Sequence, residues 1–125
     1  MILDTNALSA FADADHKLLA RLPSDRPWAL PVVVIGEYRF GLLGSREGEA
    51  RERWLQDLIR TVRVLAVTET TAGFYAAVRH ELKQQRRSIP PNDSWIAALA
   101  LEHRLPVLTR DAHFENIPEV QPVGW

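Results

Sequence analysis

The sequence predicts an α/β sandwich around a mainly parallel sheet, and three observations carry that prediction. Short apolar or β-branched runs alternate with segments of helical spacing along the whole chain. Two of the runs lead into an aspartate, Asp4 and Asp111, and in open α/β sheets ligand-binding residues gather outside the carboxyl ends of the strands. Finally, 125 residues with 46% hydrophobic and 25% charged side chains have the size and mix of one compact unit, so a single domain over 1–125 is expected.

Each element follows in order. Met1, Ile2 and Leu3 make a very short strand closed by Asp4, and the segment from Asn6 to Phe11 has helix-compatible spacing. A second helical piece is predicted over 16–22, stopped by Pro23, with a turn over 24–27. Residues 28–43 are ambiguous, because Val32, Val33, Val34 and Ile35 have strand propensity inside a pattern that continues as a helix. Pro31 decides in favour of a strand at 28–30, then a helix that opens at the proline and buries Ile35, Tyr38 and Leu42. Glu37 then lies on another side of that helix. Over 46–61 charges alternate with Trp54, Leu55, Leu58 and Ile59, an amphipathic helix with one wet face.

A strand is predicted over 62–67. Thr70 or Thr71 caps the next helix, which passes through Phe74, Ala77, Val78 and Leu82 to a polar end at 83–87. Pro90 and Pro91 open another helix with Asn92 as its cap. Spacings of three, four and seven residues put Asp93 on one face with Ile96, Ala97 and Ala100. A short strand over 106–109 delivers Asp111, and 120–123 forms a last edge strand.

Composition excludes several classes of function. With no cysteine, thiolate zinc sites, iron–sulfur ligation, thiol redox work and a Cys nucleophile are ruled out, and a reducing, cytosolic setting is expected. The most apolar stretch, 28–36, is far short of the roughly 20 residues of a membrane-spanning helix. The start has no basic region of a secretory signal, so a soluble protein is expected. No segment repeats or is low in complexity. Fifteen Lys and Arg against sixteen Asp and Glu leave a net charge of -1, which argues against holding nucleic acid by bulk positive charge.

Four acids matter most. Asp4 and Asp111 end strands, while Asp93 and Glu37 occupy helix positions that can face the same place. Carboxylates converging without matching bases repel one another and raise one another's pKa values unless a cation neutralises them. Mg²⁺ or Mn²⁺ suits such a set, since these ions prefer oxygen donors and work on phosphate esters. Each acid alone also has an ordinary use: a helix cap for Asp4 or Asp111, the positive helix end for Asp93, a solvated surface for Glu37.

The sequence around these acids resembles a known family. Leu3-Asp4-Thr5-Asn6, Gly36-Glu37-Tyr38-Arg39-Phe40-Gly41, Asn92-Asp93-Ser94-Trp95-Ile96-Ala97-Ala98 and Leu108-Thr109-Arg110-Asp111-Ala112-His113-Phe114 look like the successive signatures of PIN domains, and most like those of the VapC toxin ribonucleases. The likeness covers essentially the whole chain. It implies a PIN-like three-layer α/β/α sandwich and a Mg²⁺- or Mn²⁺-dependent endoribonuclease, the toxin of a type II toxin–antitoxin pair acting on tRNA or ribosomal RNA. The metal-binding and catalytic acids carry over onto Asp4, Glu37, Asp93 and Asp111, with Asn6 and Thr109 as small polar residues beside the metal. A homodimer and an antitoxin whose tail blocks the acidic pocket are further implications. Two departures stand out: only Met1, Ile2 and Leu3 precede Asp4, and Arg110 sits beside Asp111.

On this reading one or two metals lower the pKa of a water for in-line attack on phosphorus, and Asn6 and Thr109 hold water or a carboxylate in place. The four histidines, at 16, 80, 103 and 113, have no zinc-like spacing, and His113 is expected at the surface or facing substrate rather than as a ligand. Arg39, Arg86, Arg87 and Arg110 are candidate contacts to RNA phosphates. Trp28, Trp54 and Trp95 read as core or interface aromatics, and Trp54, Leu55 and Phe74 as apolar groups that face either the core or a partner. A phosphatase of the haloacid dehalogenase type is set aside, because its second aspartate falls on Asn6. A catalytically inactive RNA- or protein-binding module is the remaining alternative, opposed by acids at all four positions. With the four acids set apart, twelve acidic face fifteen basic side chains, so the low net charge reflects a local acidic pocket in a mildly basic surface.

Overall fold

In the computed structural model, which describes residues 1–24 and 28–125, five parallel strands form one sheet flanked by helices. In chain order these are β1 (Ile2–Leu3), α1 (Thr5–Ala12), α2 (His16–Leu19), β2 (Ala29–Pro31), α3 (Val32–Leu42), α4 (Gly48–Ile59), β3 (Arg63–Leu65), α5 (Glu69–Gln84), α6 (Pro91–His103), β4 (Val107–Leu108), a single 3₁₀ turn (Ala112–Phe114) and β5 (Pro122–Val123). The expected turn at 24–27 falls largely outside the described residues, which omit 25–27.

The strand order is β3-β2-β1-β4-β5, every neighbouring pair parallel. The chain therefore winds outward from β1 to β3 and then resumes on the other side of β1 at β4. Such a reversal opens a crevice outside the carboxyl ends of the two strands that flank it. Successive strand residues point to opposite faces, and Ile2 and Leu3, like Val107 and Leu108, are all fully buried. Both faces of the central strands are covered, as an α/β/α arrangement requires. At the edge, β3 leaves Arg63 and Val64 exposed and buries Leu65, which limits it to three residues rather than the span 62–67.

Pro31 behaves as its chemistry predicts. It ends β2 in extended backbone, with φ -62 and ψ 142, and α3 begins at the next residue. The β-branched run Val32, Val33, Val34 and Ile35 is helical because the turn buries Val34 and Ile35 against the core; burial outweighs the few tenths of a kcal/mol of propensity per residue. On α4, Leu55 and Leu58 are buried and the other side is charged, but the helix starts at Gly48 rather than at 46.

Two caps differ from expectation. Thr68, not Thr70 or Thr71, caps α5, and the side chain of Thr71 accepts from the Thr68 amide at 3.0 Å. Helix α6 is capped by Pro90 with Pro91 as its first residue, so Asn92 lies inside its first turn. Beyond the predicted stripe, α6 also buries Ser94, Ala98 and Leu99. It packs against α5 and also touches α3.

Trp28 and Trp54 pack edge-on against Phe11, with ring centroids 5.0 and 5.5 Å away, and Trp95 stacks on Tyr75 at 3.9 Å. Leu55 is fully buried and so faces the core, not a partner; of the exposed large apolar side chains among the described residues, Phe40 and Leu43 are the barest, at 78% and 79%. Among the described residues no helix is long and apolar enough to cross a membrane.

Candidate active site: an acidic cleft at the strand ends

The crevice predicted by the strand order is a cleft of about 460 Å³. Its lining includes Asp4, Thr5, Asn6, Glu37, Asp93, Asp111 and His113, closed on one side by Pro90, Pro91 and Asn92. Asp4 forms the floor. It follows β1 directly, is 3% exposed, and caps α1 by accepting from the Ala7 amide at 2.8 Å through Oδ1. Its other oxygen accepts from the Thr109 hydroxyl. That same Thr109 oxygen accepts from the Asp111 amide at 2.8 Å, so one buried threonine ties the end of β1 to the loop after β4.

Burial pushes the Asp4 carboxyl up from 3.8 to about 6. The hydrogen bonds from Thr109 and Ala7 oppose that rise, and the charges of Asp93 and Asp111 add to it. A carboxylate with both oxygens bonded and still raised marks a strongly desolvated position.

The remaining acids form the walls. Glu37 reaches the cleft from the middle of α3 and accepts from the Thr5 hydroxyl at 3.0 Å. Asp93 stands in the first turn of α6, where the helix dipole favours negative charge. Asp111 caps the 3₁₀ turn by accepting from the His113 amide at 3.0 Å. His113 then folds back so that Nδ1 lies 2.7 Å from Asp93 Oδ2 and 2.9 Å from Asp111 Oδ1. Desolvation raises Asp93 above the usual carboxylate range; the His113 contact lowers it, and Asp111 and Glu37 raise it further.

Asp4 and Asp111 thus serve as caps and line the cleft at once, so the ordinary use of these residues and a functional one coexist. Thr109 bonds Asp4 directly, whereas Asn6 lines the cleft from the start of α1. Two contributors were not picked out in the sequence: Thr5, and His113 as a partner of two acids. The second had a signal, since His113 follows Asp111 by two residues on one short turn.

The four candidate arginines do not share a place, and none lines the cleft. Arg39 pairs with Glu52 at 2.9 Å. Arg110 lies over the Trp125 ring, 4.4 Å from its centroid, and 3.7 Å from Asp15. Arg86 and Arg87 border a hollow at the end of α5 with Arg79, His80 and Lys83. Arg87 also lines a smaller hollow that includes His113, which places it next to the acidic cleft.

Among the described residues four carboxylates line this cleft with no Lys or Arg beside them, and the donors that come within 4.8 Å of one another are those of Asp93, Asp111 and His113. The donor set of hard, anionic oxygens fits a small divalent cation such as Mg²⁺ or Mn²⁺. A parallel sheet with an acidic cleft at its topological switch defines a class, and comparison with known proteins agrees. The PIN domain model matches residues 1–120, and the chain belongs to the PIN domain family, whose members are nucleases.

Within that family several of the proteins it resembles are VapC ribonucleases. The chain is 33% identical over 98 residues to ribonuclease VapC4 of Mycobacterium tuberculosis, spanning 77% of this chain and 75% of that one. It is 30% identical over 130 aligned positions to ribonuclease VapC1 of Haemophilus influenzae strain R2866, spanning 99% and 96%. Among solved structures, VapBC-5 from Mycobacterium tuberculosis, a member of the VapBC family of toxin–antitoxin systems, superposes with a TM-score of 0.78 at 29% identity, covering 99% of this chain and 97% of that one.

Proposed function

We propose that this chain is an endoribonuclease that hydrolyses RNA phosphodiester bonds with a divalent cation, Mg²⁺ or Mn²⁺, held by Asp4, Glu37, Asp93 and Asp111, and that it is the toxin of a VapBC-type pair. The observation that carries the reading is the convergence of those four carboxylates on one cleft whose described lining holds no Lys or Arg, in a chain similar to VapC ribonucleases.

When bound, a hard divalent cation lowers the pKa of water and offsets charge on the phosphodiester. The chain's own residues set the stage for this. Thr109 fixes the plane of the Asp4 carboxylate and, through the Asp111 amide, the start of the turn that carries Asp111. Thr5 orients Glu37. Asn6 stands at the mouth, able to hold water or substrate. Arg87, on the hollow that shares His113 with the cleft, and Arg86 beside it on the neighbouring hollow serve the RNA backbone; Arg39 and Arg110 are partnered by Glu52 and Asp15 and are weaker candidates.

The same geometry supports a cognate antitoxin as partner, since a carboxylate cleft is blocked by a basic side chain and exposed Phe40 and Leu43 lie on α3 and just beyond it. We further propose one domain over 1–125, a homodimer, a cytoplasmic location, and tRNA or ribosomal RNA as substrate. The test is cleavage of total RNA by the purified chain with Mg²⁺ or Mn²⁺, beside Asp4→Asn and a chelator. Loss of cleavage in both controls is expected, and cleavage that survives both refutes metal-dependent hydrolysis. An inactive binding module would show binding without cleavage in every arm.

A further inference from the structure

One donor in the cleft is not an oxygen. His113 is fixed from two directions: its amide is bonded to Asp111 within the 3₁₀ turn, and the next residue, Phe114, is fully buried and anchors that turn in the core. Its Cα is thereby held beside the acids. Nδ1 lies 2.7 Å from Asp93 Oδ2 and 2.9 Å from Asp111 Oδ1, and one donor atom from each of the three residues falls within 4.8 Å of the others. Adjacent donors on an octahedral ion bonded at about 2.1 Å stand about 3 Å apart. The two separations at Nδ1 are close to that edge.

We propose that His113 is itself a ligand of the divalent cation, adding its Nδ1 to the carboxylates of Asp93 and Asp111. The inference rests on the metal-dependent reading above and deepens it. Oxygen donors suit both Mg²⁺ and Mn²⁺, but Mn²⁺ is a first-row transition ion and takes an imidazole nitrogen into such a set more readily than Mg²⁺, which is reluctant to give up its oxygen shell. A nitrogen in the donor set therefore tilts the cleft from Mg²⁺ toward Mn²⁺. The rival role for His113 is a hydrogen-bond bridge that holds two carboxylates in register and leaves the ion with oxygen donors alone.

Mn²⁺ distinguishes the two without reference to cleavage. Electron spin echo modulation of Mn²⁺ added to the full chain is expected to show a directly bonded nitrogen-14. The signal is expected to vanish in His113→Gln and persist in His80→Gln. Calorimetric titration is expected to show a larger loss of affinity for Mn²⁺ than for Mg²⁺ in His113→Gln, whereas a hydrogen-bond bridge would weaken both alike, on the order of 10–100-fold. Mn²⁺ that binds, is lost in Asp93→Asn, and carries no bonded nitrogen overturns the proposal while leaving the metal-dependent reading intact. Equal Mn²⁺ affinity in the wild type and His113→Gln overturns it too. Failure of the wild type to bind Mn²⁺ at all overturns both.

Discussion

The floor and the rim of the acidic cleft are built on opposite principles. At the floor, Asp4 is 3% exposed, and its two oxygens are taken by the Ala7 amide and the Thr109 hydroxyl. At the rim, Asp93 and Asp111 remain partly exposed and meet through His113, whose side chain is 41% exposed. The floor is preorganised and carries a folding penalty, because a desolvated carboxylate is held where its charge is disfavoured. The rim keeps room to adjust. Substitutions at the two places are accordingly expected to separate stability from activity in different ways.

The largest effect is expected at the floor. Asp4→Asn removes a charge from the centre of the cleft and is expected to lower RNA cleavage by at least about 10²-fold, the scale seen when a group stabilising transition-state charge is lost. The same change is expected to stabilise the metal-free protein at pH 8. The sign follows from the raised pKa of Asp4, from 3.8 to about 6: the folded state holds a proton that the unfolded state releases. The favourable contribution is complete below pH 3.8 and is lost as pH rises through about 6, a difference of about 3 kcal/mol at most. Urea unfolding in chelator from pH 4 to 8 should show this decline in the wild type and a flatter profile in Asp4→Asn. An equal decline in both would place the titration elsewhere.

Next comes the residue that holds the floor together. Thr109→Val keeps the shape of the side chain but strips one Asp4 oxygen of its donor and the Asp111 amide of its acceptor. A loss of about 2 kcal/mol in stability is expected, with Thr109→Ser much closer to the wild type. Matching urea midpoints for Val and Ser would show that the hydroxyl is dispensable to the fold.

The rim supplies the contrasting case. Asp93→Asn is expected to abolish cleavage about as completely as Asp4→Asn while changing metal-free stability by less than about 1 kcal/mol, as befits a partly exposed side chain. If it destabilises as much as Thr109→Val does, floor and rim are one rigid unit and the distinction between them fails.

The same contrast governs what was legible in the sequence. The floor depends on local order along the chain: Asp4 directly follows the apolar strand β1 and caps the helix behind it, and Thr109 directly follows β4. Such features leave a mark within a few residues, so the parallel α/β architecture and the meeting of the four acids could be anticipated. Cap positions were misplaced because several candidates lay within three residues of one another: Thr68 prevailed over Thr70 and Thr71, and Pro90 over Asn92. The rim was less legible, since its contacts join distant segments. His113 meets Asp93 twenty positions away; outside the cleft, Arg39 and Arg110 are likewise engaged by Glu52 and Asp15 from other segments. Nor does a sequence show that Leu55 is buried while Phe40 is bare.

Glu37 lies between floor and rim and yields the smallest expected effect. Its carboxylate comes from α3, and the Thr5 hydroxyl at 3.0 Å is the hydrogen bond that orients it. Thr5→Val deletes that bond at a partly buried position, where Glu37 can turn to water instead. One such bond is worth about 1 kcal/mol, which corresponds to roughly a fivefold fall in the cleavage rate if the orientation of Glu37 is needed in the reaction. Thr5→Ser is expected to restore most of the rate, and the folded-state stability of both variants to stay near that of the wild type. Steady-state cleavage of one oligonucleotide by the three proteins is the measurement. A fall approaching that of Asp4→Asn would move Glu37 to the floor, as a group whose placement is fixed as tightly as that of Asp4. No change at all would make Glu37 a rim group able to reorient on its own.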